Sequence, residues 1–186
     1  AMLTSTNIEH ILILSNGAYG KRMSQICKIY HINYTLIEFD ETKPITSQEL
    51  KDNLNQNYSH VALVHCETTT GIINKIEEIS IMCKELNLKL IIDAMSSFSV
   101  LDINISKLNL TAIAFSSNKG LQGPPGIGFC ICKKEVLEAQ FIPKTLSLDL
   151  NEQNNNLEKT GQWRFTPPTQ VLLGVEQAIK ELYKEG

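Results

Sequence analysis

The chain alternates short apolar runs with stretches of helical spacing, and that alternation limits what it can fold into more than any single motif. Residues 10–15 (HILILS), 34–39 (YTLIEF), 60–65 (HVALVH), 88–92 (LKLII) and 112–115 (AIAF) are such runs. Each reads as a strand, and 60–65 and 112–115 as buried ones. Between them Met23, Ile26, Cys27 and Tyr30 recur at helical spacing, as do Ile76, Ile79, Met82, Cys83 and Leu86. Strands alternating with helices predict an α/β fold, a mostly parallel sheet with helices on both faces.

Further spacing predicts a turn over 16–20, a helix over 21–31, one from Ser47, and one that Asn87 stops. Residues 103–108 read as a short helix, 127–132 as a further apolar strand, and 133–139 as a helix. Residues 141–162, with three successive asparagines, read as a loop. Pro167 and Pro168 open a last helix that carries Val171, Val175, Ala178 and Leu182 on one face.

At 186 residues the chain is long enough for one domain with a sizeable core. A net charge of -3 gives no reason to invoke nucleic acid or an anionic membrane. Neither a membrane span nor a signal peptide is legible in it. The five cysteines, odd in number and mostly within elements, fit reduced thiols in the cytoplasm. Cys130 and Cys132 have neither zinc-ligand nor redox spacing, so no metal is expected.

Chemistry concentrates where the apolar runs end. In a parallel sheet the strand ends share one edge, the edge where ligands bind. Asn16 to Gly20, Thr68 to Gly71, Asp93 to Ser96 and Ser117 to Lys119 all follow such runs. They would gather an aromatic ring, hydroxyls, a carboxylate and an amine. That set suits a planar, aldehyde-bearing pyridine cofactor, with lysine as Schiff-base former and a carboxylate on the pyridinium nitrogen. Desolvation at a strand end would activate Lys119. Plainer roles compete: Asp93 as a helix cap, the threonines as caps of the helix after them, Tyr19 as core. The segment 120–126 (GLQGPPG) lacks the lysine-hydroxyl ending of a nucleotide-binding loop.

Taken together, Asn16-Gly17-Ala18-Tyr19-Gly20-Lys21-Arg22-Met23, His65-Cys66-Glu67-Thr68-Thr69-Thr70-Gly71, Asp93-Ala94-Met95-Ser96-Ser97-Phe98 and Ser117-Asn118-Lys119-Gly120-Leu121-Gln122-Gly123 resemble the 2-aminoethylphosphonate:pyruvate aminotransferases. These are class V, fold-type I enzymes that use pyridoxal 5'-phosphate. The resemblance implies that Lys119 carries the cofactor covalently and moves a proton during transfer. It implies Asp93 on the pyridinium nitrogen, Thr68 near the ring hydroxyl or phosphate, Tyr19 against the ring face, and Asn118 towards the phosphate. Residues 162–166 (QWRFT) resemble a segment that reaches a neighbouring subunit, so Thr166 would bind the partner's cofactor phosphate in a homodimer.

Members of that family are about twice as long, by the same resemblance. Their glycine-serine-glycine phosphate loop and carboxy-terminal small domain, with its substrate-binding arginine, have no counterpart here. Residues 1–186 would then be a partial large, cofactor-binding domain, weak or inactive alone. The alternatives are a non-catalytic dimerising remnant or another class V enzyme, such as an alanine-glyoxylate or serine-pyruvate aminotransferase or a cysteine desulfurase. The expected substrates are 2-aminoethylphosphonate and pyruvate.

Overall fold

A computed structural model describes residues 1–185. In chain order the elements are β1 (Ile11–Ser15), α1 (Ala18–Ile29), β2 (Tyr34–Glu38), α2 (Ser47–Asp52), β3 (His60–Val64), β4 (Cys66–Glu67) and β5 (Ile72–Ile73). Then follow α3 (Ile76–Glu85), β6 (Lys89–Asp93), β7 (Leu110–Ser116), β8 (Gly128–Cys132), α4 (Lys134–Glu138), α5 (Leu150–Thr160) and α6 (Thr169–Glu185). The main sheet runs β2-β1-β3-β6-β7-β8, and β4 pairs with β5 as a separate ribbon. The pairs from β2 to β7 are parallel, and β8 closes the sheet antiparallel to β7. The expected mostly parallel α/β sheet is what forms.

Strand periodicity sorts the apolar side chains between two faces. Leu12, Leu14, Val61, Leu63, Leu90 and Ile92 join Leu50 of α2 and Ile76, Ile79 and Cys83 of α3 in one cluster. Ile11, Ile13, Ala62, Val64 and Ile91 join Met23 and Cys27 of α1 on the other face. Each fully buried leucine or isoleucine contributes roughly 1.5–3 kcal/mol. Every position of β1 and β3 is buried, which places these strands at the centre. Thr46 and Glu49 cap α2 reciprocally, the capping-box arrangement. Asn87, at φ 55, ends the α3 segment in the left-handed region.

Three local expectations are corrected. Helix α1 begins at Ala18, inside the expected turn, because Asn16 and Gly17 complete the break after β1. Residues 103–108 form turns held by short-range bonds such as Lys107 N–H to the Asn104 carbonyl, and no helix propagates. The expected loop 141–162 contains α5. Its first turn is capped by Asp149, whose carboxylate accepts from the Asn151 and Glu152 amides, and Gly161 ends it at φ 68. Within it Asn154 donates to Glu158, and Asn156 to Thr160, so the asparagines bond along the helix surface.

Candidate active site

Parallel register puts the ends of β1, β3, β6 and β7 on one edge, as the sequence requires. The turn after β1 is held to the residue after β5 by a closed amide pair. Asn16 Nδ2 donates to Asn74 Oδ1 at 2.9 Å, and Asn74 Nδ2 donates back to Asn16 Oδ1 at 3.0 Å. The remaining groups reach the Lys43 and Val64 carbonyls and the Ile45 amide. Both residues are buried, so the pair is a satisfied polar network inside the core.

Tyr19, in the first turn of α1, is half-buried against the α1 face of the core. The Arg22 guanidinium lies over its ring, 4.7 Å from the centroid. The Tyr19 amide donates to both carboxylate oxygens of Glu67, at 3.2 and 3.3 Å. Thr69 donates its hydroxyl to Glu67 as well, at 3.0 Å. Thr68 is exposed beside it. The helix after this loop starts at Ile76 and draws no side-chain cap, so the threonines do not cap it.

Asp93 ends β6, in register with Ala114 of β7. One carboxylate oxygen accepts from the Met95 amide at 2.9 Å. Turns follow Asp93 rather than a helix, so the capping role is confined to that one bond. The other oxygen has no partner among the described residues. Burial pushes the Asp93 pKa up, and the nearby Glu67 charge adds to this. The Met95 bond and the Arg22 charge pull against them. Asp93, Glu67, Arg22 and Tyr19 therefore form one electrostatic neighbourhood at the sheet edge.

Lys119 and Asn118 stand in the loop from β7 to β8, both exposed. The sequence led us to expect a desolvated amine, but this chain presents the amine to solvent. The loop turns outward there: Lys119 accepts from the Gln122 amide, while Ser117 below bonds the Pro124 and Ile127 carbonyls and is buried. Gly120 anchors the loop to the turn after Asp93. A Cβ there would come within 2.3 Å of Val100 Cγ2 and 2.5 Å of the Phe98 carbonyl oxygen. Beneath, Phe98, Phe115 and Phe129 stack in sequence, with centroids 3.6 and 5.1 Å apart. Thr166 is also exposed, among Trp163, Arg164 and Phe165 in the connection from α5 to α6. Among the described residues nothing bonds Thr166 to the Asp93 neighbourhood.

Sequence reasoning missed Glu67, Asn74 and Arg22 as organisers of this edge. The one signal was position: an acid between an apolar run and a threonine cluster, and a basic residue one turn into α1.

The family profile described as Aminotransferase class-V matches residues 6–186. The chain is 44% identical over 182 residues to a 2-aminoethylphosphonate–pyruvate transaminase of Bacteroides fragilis, covering 96% of this chain and 50% of that protein. A protein of the same name from Phocaeicola vulgatus is 46% identical over 180 residues, covering 95% of this chain and 50% of its own. The chain thus spans about half the length of the curated relatives it matches. Among solved structures, an alanine–glyoxylate aminotransferase from Nostoc sp. superposes with TM-score 0.91 at 21% identity, over 99% of this chain and 51% of that one. A pyridoxamine-pyruvate aminotransferase from Mesorhizobium loti gives 0.87 at 23% identity, over 98% and 49%. These two likenesses establish the fold.

Proposed function

Because this chain belongs to the class-V aminotransferase family, we propose that it forms the lysine-bearing part of a pyridoxal-phosphate-dependent transaminase acting on 2-aminoethylphosphonate and pyruvate. The products would be phosphonoacetaldehyde and alanine. The observation that carries this reading is the 44% identity, along 96% of the chain, to a transaminase of that name. We assign residues 1–186 to part of the large, cofactor-binding domain. The five free thiols support a cytoplasmic setting. No described helix is long and apolar enough to cross a membrane.

Asp93 is the member of the donor set that supports the cofactor reading. It offers a half-buried carboxylate with one oxygen unpartnered, and a cation beside it would relieve the cost of its charge. When bound, pyridoxal phosphate supplies an aldehyde for amine exchange and a ring that accepts electron density. Asp93 would hold the ring nitrogen protonated. Tyr19 would lie against the ring face and Thr68 would meet the polar substituents. Asn118 would reach towards the phosphate. Lys119 Nζ would make the covalent attachment and, once freed by the substrate amine, carry a proton to and from the amino-bearing carbon. Thr166 would serve the phosphate of a second subunit, which makes a homodimer the working form.

The test is borohydride reduction after incubation with pyridoxal phosphate, followed by peptide mapping. Saturable label should fall on the Lys119 peptide and vanish in Lys119→Ala. Asp93→Asn should weaken half-saturation. Label spread evenly over surface lysines and indifferent to both substitutions would overturn the reading.

A further inference from the structure

Resting on the cofactor reading above, we infer that Glu67 is a positioning residue for the candidate active site: its buried carboxylate fastens the first turn of α1, and with it the Tyr19 ring, to the threonine loop. Three observations converge on it. Helix α1 has neither a side-chain cap at Gly17 nor an acidic residue in its first turn. A helix start needs both an acceptor for its free amides and a negative charge near its positive end. Glu67 supplies both from a position 48 residues later, through the Tyr19 amide.

The second observation is burial. Glu67 is fully buried, and none of the ion pairs of the described residues includes it. A charge in that setting is tolerated only when its oxygens are well bonded. The Tyr19 amide and the Thr69 hydroxyl provide those bonds. Thirdly, the space is made for it. A Cβ at Gly17 would lie 2.3 Å from Glu67 Cγ and 2.5 Å from Cδ, so only glycine lets the carboxylate reach the helix start. The same loop carries Thr68, and Glu67 is also one of the charges acting on Asp93. Glu67 thus sets the spacing between two segments that would grip opposite parts of one ligand.

The experiment compares Glu67→Ala and Glu67→Gln in this chain. The Tyr19 amide is followed by its proton shift and hydrogen exchange, and pyridoxal phosphate uptake is followed by absorbance titration. Ile79→Ala, in α3, is the control for lost stability. All variants are measured at the same interval below their unfolding midpoints. Glu67→Ala should speed Tyr19 exchange and weaken uptake about tenfold or more, as expected when a buried donor loses its charged acceptor. Glu67→Gln, which keeps the volume and one acceptor oxygen, should restore most of the uptake while shifting the Tyr19 amide signal. Unchanged Tyr19 exchange in Glu67→Ala, or uptake weakened no more than in Ile79→Ala, overturns the proposal. If the unsubstituted chain takes up no cofactor saturably, the cofactor reading fails and so does the purpose given to Glu67. Tyr19 exchange would still report whether the fastening exists.

Discussion

Gly20 shows how tightly the turn after β1 is built. It is buried within α1, where alanine would ordinarily be favoured by about 1 kcal/mol. Yet a Cβ there would lie 2.4 Å from Ser15 Oγ and 2.9 Å from Ser15 Cα, and the latter is backbone that cannot swing aside. The contact decides the sign. Gly20→Ala should destabilise by about 1–3 kcal/mol, read as a lower urea midpoint with an unchanged slope. A midpoint at or above that of the unsubstituted chain would show that the turn yields. At this scale the sequence marked Asp93 and Lys119 as candidates by position, the first directly after an apolar run and the second four residues past one. It could not announce the Glu67 cap or the Asn16–Asn74 pair. Their partners lie 48 and 58 residues apart, and only the parallel register brings them together. Nor could it show that the Lys119 loop turns its amine outward.

Among the elements, α5 is the one whose composition disguised it. Residues 150–160 contribute nothing fully buried and carry four asparagines, so no apolar stripe marks them. The helix is defined at its ends instead, by Asp149 and by Gly161. Asp149 is itself buried and lies 3.6 Å from the Arg164 guanidinium, which ties the start of α5 to the segment after it. Asp149→Ala should cost about 1–2 kcal/mol and speed exchange of the Asn151 and Glu152 amides ahead of those in α3. Asp149→Asn, which keeps the capping oxygen, should recover most of that loss. Equal exchange rates in all three proteins would mean that α5 is held by something other than its cap. By contrast, β1, β3, β6 and α3 were plain in the sequence, since a strand covered on both faces reads as a continuous apolar run and a core helix as an apolar stripe.

Over the whole molecule, acid should be the sensitive direction. His60 is fully buried with Nε2 unpartnered, and burial, helped by the Lys89 charge, pulls its pKa from 6.5 to about 4. His65 is lowered too, by burial, with Glu77 opposing. Between the two His60 values the unfolded chain binds more protons than the folded one, so stability falls as pH drops through that window. The His60 contribution could reach about 3 kcal/mol. Asp93, raised by burial, has the opposite sign: it costs stability as pH rises through its folded value. Urea unfolding at pH 7 and pH 4.5 should therefore show a clear loss at the lower value, smaller in His60→Gln. A flat profile would mean that the buried imidazoles are accommodated when charged.

The Asn16–Asn74 ring of bonds bears on how such a chain can vary over generations. Every donor and acceptor in it is engaged, so changing one asparagine strands its mate in the core. Neutral drift cannot pass through either position alone. Descendants should keep both amides or exchange them in a coupled step, which makes the two sites epistatic although neither touches the proposed chemistry.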